Sequence, residues 1–397
     1  MKVFPSLYLV MKIFVLLSRV PYPIEKGDKL RAFHQIRCMA AHHDIYLCAL
    51  SDVNVHPDAV GILKQYCKEV HVIRIYGPGM VWNGMKAFFS GKPLQVGYFY
   101  RCSVAKKIRN LIDQIRPDHI FCQLLRVAEY VKEIPVPKTL DYQDVFSMGA
   151  KRRADTSNWW LRPFFSMEYR RLLRYENDLF DRFDNKTIIS QPDRDLIPHP
   201  SNQEIVIIQN GVDHAYFHPI VRPKEFDIVF TGNMGYAPNA DAAHFIAKEI
   251  LPIVHHQLPE TTLLIAGATP QTKVQALQSK FVKVSGWVPD IRESYASSAL
   301  FIAPMRIGTG LQNKLLEAMA MGLPSITSVM ANSALGATEN KEILVGHSPQ
   351  DYADLIIKLL MNKEYADSIA QKWHEFVKHE YSWENSTAKL VELMSKK

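Results

Sequence analysis

Short apolar runs alternate with longer amphipathic segments along almost the whole chain. The short runs have the length of buried strands, and the longer segments repeat apolar residues at helical spacing. This alternation is typical of parallel α/β sheets. It predicts strands at 12–17, 44–50, 69–75, 118–123, 138–141, 186–190, 226–232, 261–267, 281–285, 299–303 and 324–327. The predicted helices are 28–41, 103–115, 161–182, 349–361, 363–379 and 382–395.

A turn-rich connector divides this pattern into two similar halves. It opens with Gln-Asn-Gly-Val-Asp and continues through two prolines. A length of 397 residues with 47% apolar content also fits two domains with full cores. We predict two doubly wound Rossmann-like domains that face each other across a cleft, with ligands at the carboxyl ends of their strands. The predicted segments are a first domain at 1–208, a linker at 209–223, a second domain at 224–378, and a helix at 379–397 that packs back toward the first domain.

The most informative motif is the strand–turn–helix at 300–322. A glycine-containing turn with Arg306 leads into a helix that carries Lys314 and Glu317 on one face. Backbone amides at a helix N-terminus and two cations suit a diphosphate, while the glutamate can accept hydrogen bonds from a ribose diol. An ordinary amphipathic helix with solvated charges is the alternative. The turn residues expected to contact this ligand are Thr309, Gly310 and Leu311.

Three further strand–helix loops are candidates for ligand contact. Gly27 precedes the first long helix, where a glycine lets backbone amides approach a phosphate or sugar. Gly232 and Asn233 follow the first strand of the second half, and Val288 lies in a turn that could cap a nucleobase. Plain turns and helix N-caps explain the same residues without a ligand.

Charge is distributed unevenly along the chain. Residues 1–200 hold 30 Lys and Arg against 20 Asp and Glu, whereas residues 201–397 hold 17 against 20. Basic residues and aromatics interleave at 151–175, which suits an anionic membrane surface. A solvated basic helix whose aromatics pack on the core is the alternative.

An aromatic and glycine-rich stretch at 80–100 fits either a mobile acceptor-side loop or a buried hairpin. Neither patch accompanies a recognised nucleic-acid module, so we expect no nucleic-acid partner.

Several features limit the chemistry and the compartment. The chain has no Asp-x-Asp pair after a strand, no P-loop, no GxGxxG, no HExxH and no GxSxG. We therefore expect no metal and no cofactor, with Arg, Lys and backbone dipoles neutralising a leaving diphosphate.

The cysteines and the apolar runs indicate the compartment. Five scattered cysteines fit reduced thiols in the cytoplasm, and a stretch of ~20 uninterrupted apolar residues is absent. The first ten residues read as either an upstream-start extension or a frayed arm before the first strand.

These motifs resemble the retaining glycosyltransferases of family four, which have the two-domain GT-B fold. The run GlyLeuGlnAsnLysLeuLeuGluAlaMetAlaMet is similar to sugar transferases associated with exopolysaccharide clusters of the PEP-CTERM/exosortase type. The other matching pieces are 21–29, 170–176, 210–213, 231–242 and 288–292. The resemblance implies a first domain on the acceptor side and a second domain that binds the nucleotide sugar.

The resemblance also implies roles for individual residues. Glu317 would bind the ribose hydroxyls of the donor, Arg306 and Lys314 would bind its diphosphate, and Gly27 would approach it from the first domain. The sequence departs from the family pattern at Thr309, where relatives have a glutamate that contacts the transferred sugar. A histidine expected near 121–126 and an arginine-x4-lysine pair near Asn233 and Met234 are also absent.

The expected function is transfer of a sugar from a nucleotide diphosphate donor to a glycan or lipid-linked acceptor. The enzyme would be hexosyltransferase-like and metal-independent, and it would act in exopolysaccharide or surface polysaccharide synthesis. It would be cytoplasmic and peripheral on the inner face of the plasma membrane. The alternatives are a GT-B nucleotide-sugar epimerase and a non-catalytic scaffold for glycan assembly.

Overall fold

The computed structural model describes residues 10–24, 26–75, 91–307 and 310–396. The chain divides into two compact units, each with its own parallel sheet. One unit comprises Met1–Ile208 and Ser386–Lys397, and the other comprises Gln209–Asn385.

The first unit is built on a seven-stranded parallel sheet with the strand order β3-β2-β1-β4-β5-β6-β7. Its strands are β1 (Lys12–Leu17), β2 (Asp44–Ser51), β3 (Glu69–Arg74), β4 (His119–Gln123), β5 (Lys138–Asp141), β6 (Asn185–Ile188) and β7 (Val206–Ile207). Its helices are α1 (Gly27–Met39), α2 (Ala59–Leu63), α3 (Leu94–Phe99), α4 (Cys102–Ile115), α5 (Phe146–Thr156), α6 (Arg162–Phe180) and α7 (Gln191–Asp195). Short 3-10 turns lie at Leu125–Tyr130 and Asn202–Glu204.

Alternating residues of the central strand β1 explain why this sheet is covered on both faces. Phe14 and Leu16 belong to one apolar cluster, while Ile13, Val15 and Leu17 belong to another. Successive side chains of a strand point to opposite faces, so a continuous apolar run requires helices on both sides. The end of the chain contributes to the second cluster through Leu390 and Met394.

The second unit is built on a six-stranded parallel sheet with the order β10-β9-β8-β11-β12-β13. Its strands are β8 (Phe226–Thr231), β9 (Leu263–Ala266), β10 (Val282–Gly286), β11 (Ser298–Ala303), β12 (Ser325–Ser328) and β13 (Leu344–Gly346). Its helices are α8 (Ala237–Phe245), which continues through a π segment (Ile246–Ile250) into α9 (Leu251–His255), then α10 (Thr272–Gln275), α11 (Ile291–Ala296), α12 (Asn313–Ala320), α13 (Val329–Leu335), α14 (Pro349–Met361) and α15 (Lys363–Glu380). The last helix, α16 (Trp383–Ser395), begins in this unit and ends in the first.

The α/β class and the doubly wound parallel sheets predicted from the sequence are confirmed. Two short strands, β7 and β13, were not predicted from the sequence, because two or three residues are too few to show an alternating pattern. Part of the aromatic stretch at 80–100 is the helix α3, and residues 80–90 lie outside the described residues.

Three of the cysteines, Cys48, Cys67 and Cys122, are buried and free, whereas Cys102 is exposed at the start of α4. Among the described residues, no helix combines the length and the apolar composition that a membrane span requires.

Candidate active site

Two glycines at the carboxyl ends of neighbouring strands allow a very close backbone approach in the second unit. Gly232 follows β8 and Gly267 follows β9, and both have positive φ angles, of 151° and 138°. A Cβ on Gly267 would lie 1.9 Å from the carbonyl oxygen of Gly232, so only glycine fits there. A Cβ on Gly232 would lie 2.7 Å from Asn239 Nδ2 and 3.3 Å from Lys314 Cε. Gly232 therefore leaves room for the Lys314 side chain beside the end of β8.

Lys314 is a half-buried cation whose hydrogen-bond partners are neutral amides. Its Nζ donates to Asn239 Oδ1 and to Gln312 Oε1, both at 2.9 Å, and lies 5.7 Å from the centre of the Phe230 ring. Burial lowers the pKa of Lys314 to about 8, so the side chain carries its charge at neutral pH. Within the described residues, the two amide oxygens are the hydrogen-bond acceptors of Lys314 Nζ, and a cation held in this way in a partly desolvated site is suited to bind an anion.

Glu317 lies one turn further along α12, on the face that it shares with Lys314. Its Oε2 accepts a hydrogen bond of 2.9 Å from the hydroxyl of Tyr295. Burial raises the pKa of Glu317, and the Tyr295 hydrogen bond and the Lys314 charge oppose that rise. The carboxylate is thus held in a fixed orientation with acceptor capacity remaining for a ligand.

Tyr295 orients Glu317 through its hydroxyl group. This residue was not predicted from the sequence as part of the site. Its ring is fully buried in α11, and its hydroxyl lies 2.8 Å from Thr231 Oγ1. Since the single phenolic proton is donated to Glu317, the Thr231 hydroxyl donates to Tyr295. A tyrosine 22 positions before the glutamate carries no local signal that links the two residues.

Arg306 has different partners from those predicted for a diphosphate-binding residue. Its guanidinium donates to Asp241 at 2.9 and 3.1 Å and to Glu249 at 3.3 Å, and it lies 4.2 Å from the centre of the Phe245 ring. These carboxylates raise the pKa of Arg306 and compensate its charge. A diphosphate would have to compete with both, so the diphosphate role of Arg306 stays a prediction.

Asn233 links two loops at this edge of the sheet. Its Oδ1 accepts hydrogen bonds of 2.9 Å from the backbone N–H of Gly235 and from Thr269 Oγ1, and its carbonyl oxygen accepts from Asn239 Nδ2. Asn239 therefore connects Asn233 to Lys314, because the same amide group binds both. The structure brings Gly232, Asn233 and Lys314 together around one buried asparagine.

The other residues that the sequence predicts to contact the donor are Leu311, Gly310, Thr309, Val288 and Gly27. Leu311 packs against the core of the second unit, and Gly310 accepts a hydrogen bond from Gln312 Nε2. Thr309 lies outside the described residues. Val288 is half-buried in the turn before α11. Gly27 is the first residue of α1 in the first unit, where an added Cβ would have nothing within 4 Å.

Comparison with known proteins places this geometry in context. Residues 225–362 match the family model described as Glycosyl transferases group 1. A Klebsiella pneumoniae protein named "Uncharacterized 44.6 kDa protein in cps region" is 20% identical over 391 residues, which cover 93% of this chain and 96% of that protein.

Solved structures match over nearly the full length. Sucrose-phosphate synthase of Thermosynechococcus elongatus is 14% identical with a TM-score of 0.69, and the match covers 96% of this chain and 98% of that one. HepE of Anabaena, solved in complex with UDP, is 14% identical with a TM-score of 0.69 over 97% and 100%. TarM of S. aureus is 10% identical with a TM-score of 0.67 over 98% and 100%. The chain thus has the GT-B fold, and its residues 225–362 are similar to the group 1 glycosyl transferases.

Proposed function

We propose that the protein transfers a sugar from a nucleoside diphosphate sugar to a hydroxyl of a glycan or lipid-linked acceptor. The observation that carries this proposal is the pairing of Lys314 and Glu317 on one face of α12, beside the glycine-lined ends of β8 and β9. One side chain supplies a positive charge and the other a fixed hydrogen-bond acceptor. A nucleoside diphosphate offers the matching phosphate charge and ribose hydroxyls.

Each of these residues would then have a distinct role in donor binding. Lys314 would bind the diphosphate and neutralise the charge that develops on it as the glycosidic bond breaks. Glu317 would accept hydrogen bonds from the ribose, and Gly232 would let the backbone approach the ligand closely. HepE has been solved with UDP and with UDP-glucose, which supports this class of donor for a chain of the same fold.

Finer features of the reaction rest on resemblance and on charge. Retention of configuration and hexosyl transfer follow the glycosyltransferases of family four that this sequence resembles. The reaction would need no divalent metal, because Lys314 and backbone amides would neutralise the negative charge of the leaving diphosphate. The roles of Arg306, Val288, Thr309 and Gly27 in donor binding belong to the same proposal.

The biological setting would be polysaccharide synthesis at the inner face of the plasma membrane. The Klebsiella relative is described by its place in a cps region, which supports an exopolysaccharide or surface polysaccharide product. The connection between α5 and α6 exposes 85% of Trp159 and 60% of Trp160. Exposed tryptophans flanked by basic helices suit the interface of an anionic bilayer. Peripheral attachment would bring the enzyme to a lipid-linked acceptor.

A donor assay tests this function directly. The purified protein is incubated with a panel of labelled nucleotide sugars and a lipid or glycan extract, and products are separated by chromatography. A new glycoside supports the proposal, an isomerised donor indicates an epimerase, and binding without turnover indicates a scaffold. Lys314→Ala should lower the rate of product formation by about 100-fold or more. Lys280→Ala is the matched control, because that lysine is exposed in the same unit, where it contacts the exposed Glu260 and the Phe281 ring.

A further inference from the structure

A cavity lies within the first unit, at the carboxyl ends of β4 and β5. Its volume is about 300 Å³. Arg126 lies in the 3-10 turn that follows β4, Asp144 lies in the loop that follows β5, and Phe146 is the first residue of α5. Further residues of α5 and α6 complete the wall. Parallel α/β sheets bind ligands at this edge, and a cavity of this size accommodates one sugar ring with an attached group.

Arg126 gives one side of the cavity a positive charge that no ion pair neutralises among the described residues. Its Nε and Nη2 donate to Gln95 Oε1 at 3.3 and 3.1 Å, and its guanidinium lies 4.8 Å from the centre of the Phe146 ring. Burial, together with the like charges of Arg19 and Arg153, lowers the pKa of Arg126 to about 10, and the carboxylates of Asp28 and Asp52 partly oppose this shift. The guanidinium therefore remains protonated at neutral pH. Across the described ranges, no carboxylate forms an ion pair with Arg126.

The carboxyl groups of the cavity wall are bound to backbone donors. Glu168 is buried, and its Oε1 and Oε2 accept the N–H of Leu94 at 2.9 and 3.0 Å. Asp144 is exposed, and its Oδ1 accepts the N–H of Val145 at 2.7 Å. Neither carboxylate is bound to Arg126. The exposed Asp144 retains a second oxygen that can accept a hydrogen bond from a ligand hydroxyl.

Aromatic rings complete the wall on the side of the helices. Phe164 and Phe165 line the cavity with their ring centres 5.4 Å apart, and Phe164 is partly exposed. Apolar ring faces suit the C–H surface of a sugar. Both phenylalanines lie at the start of α6, shortly after the exposed Trp159 and Trp160. The cavity therefore combines a cationic end, a hydroxyl acceptor and an aromatic wall beside an exposed pair of tryptophans.

We propose that this cavity is the acceptor site and binds a phosphate-linked sugar. Arg126 and Arg153 hold the phosphate through charge-assisted hydrogen bonds, and the sugar packs against Phe146 and Phe164. The assignment of this ligand as the acceptor rests on the proposed glycosyltransferase function. The phosphate can belong to a soluble sugar phosphate or to a lipid-linked sugar, and the exposed tryptophans between α5 and α6 favour the lipid-linked form at a membrane.

The first arm of the test measures soluble ligands by isothermal titration of the full chain. Glucose 1-phosphate should bind, and methyl α-glucoside, which lacks the phosphate, should bind at least ~10-fold more weakly. Arg126→Gln should weaken glucose 1-phosphate binding by about 10- to 150-fold. Arg109→Gln, on the exposed face of α4, removes the same charge outside the cavity and should have no effect. Lys314→Ala should also leave this binding unchanged, which separates the cavity from the donor site.

The second arm distinguishes a lipid source. Vesicles of phosphatidylcholine that contain a polyprenyl phosphoglucose should retain the wild-type protein more strongly than plain vesicles, and Arg126→Gln should remove that difference. Retention on phosphatidylglycerol vesicles should survive Arg126→Gln, because bulk anionic lipid would attract the exposed basic residues instead. If only glucose 1-phosphate binds, the site is assigned to soluble sugar phosphates.

Two outcomes would overturn the assignment of this cavity as a binding site for a phosphate-linked sugar. The proposal is wrong if neither phosphate-bearing ligand binds, or if Arg126→Gln and Arg153→Gln both leave binding unchanged. Arg153 is exposed, so its variant remains informative if Arg126→Gln unfolds the protein. Thermal shift with the same panel of nucleotide sugars is recorded in parallel. If the sugar phosphate binds but no nucleotide sugar raises the melting temperature, the donor function is rejected and the phosphate site is retained.

Discussion

Removing the Tyr295 hydroxyl, which donates to Glu317, tests whether this buried tyrosine positions Glu317 for donor binding. Tyr295→Phe keeps the packing of the ring and deletes the 2.9 Å hydrogen bond to Glu317 and the 2.8 Å contact with Thr231. A hydrogen bond to a charged group contributes about 1.5–3 kcal/mol. We expect the variant to lose stability of that order, because a half-buried carboxylate and a buried threonine hydroxyl are both left without this partner.

The same change should alter donor affinity and its pH dependence. The Tyr295 hydrogen bond lowers the pKa of Glu317, so its loss raises that pKa further above the ordinary range. Only the ionised carboxylate accepts hydrogen bonds from both ribose hydroxyls. Donor affinity is therefore lost as pH falls through the Glu317 pKa, and the loss should begin at a higher pH in the variant. At neutral pH we expect the donor KM to rise by about tenfold.

Steady-state kinetics from neutral to mildly acidic pH, together with chemical denaturation, measure both effects. Tyr352→Phe is the control, because that ring is also buried in the second unit and packs against Phe245 and Gly346, and it has no contact with Glu317 among the described residues. A Tyr295→Phe enzyme that keeps the wild-type donor KM and pH profile would refute the positioning role of Tyr295. A change in stability alone would show that the hydroxyl is only structural.

Four further predictions concern the donor site, the metal and the membrane. Glu317→Gln should raise the donor KM by about 10- to 150-fold with little change in kcat, because ribose contacts are made in the ground and transition states alike; unchanged donor affinity by titration would contradict this role. Lys314→Ala should lower kcat by about 100-fold or more, and wild-type kcat should fall as pH rises through about 8, where Lys314 loses its proton; a flat alkaline profile would contradict the charge role. Transfer should survive EDTA, and activity that vanishes with chelator and returns with magnesium would assign the diphosphate to a metal. Co-sedimentation with anionic vesicles should weaken with salt and with Arg170/Arg171/Arg174→Ala, and equal binding to neutral vesicles at high salt would reject electrostatic attachment.

Elements with a strong local pattern were predicted from the sequence, and short elements were not. The strand at 12–17 was predicted from its run of apolar residues and is observed as β1 with the same limits. The spacing of Lys314 and Glu317 likewise indicates one helix face, and both residues lie on α12. In contrast, β13 has only three residues, and the helices α3 and α5 each contain a glycine, Gly97 and Gly149, that weakens the helical pattern.

The partners of the site residues were decided only by the tertiary structure. Tyr295 meets Glu317 across 22 positions, Asn239 meets Lys314 across 75, and Arg306 finds Asp241 across 65. Helical and strand periodicities report which face of an element a side chain occupies, and they carry no information on which loop lies opposite. The sequence therefore predicted that Arg306 binds a diphosphate, whereas in the fold its guanidinium contacts the carboxylates of Asp241 and Glu249.

The sequence by itself determined the α/β class, the doubly wound pattern and the strand–turn–helix with its lysine and glutamate, because these depend on local periodicity and on glycines that permit close backbone approach. The tertiary structure alone decided that Glu317 is held by a buried tyrosine and that Lys314 is held by neutral amides. It also decided that Arg126 faces a cavity without a counter-ion among the described residues. Burial and electrostatic pairing depend on residues that are distant in sequence, so they are settled only when the strands and helices pack together.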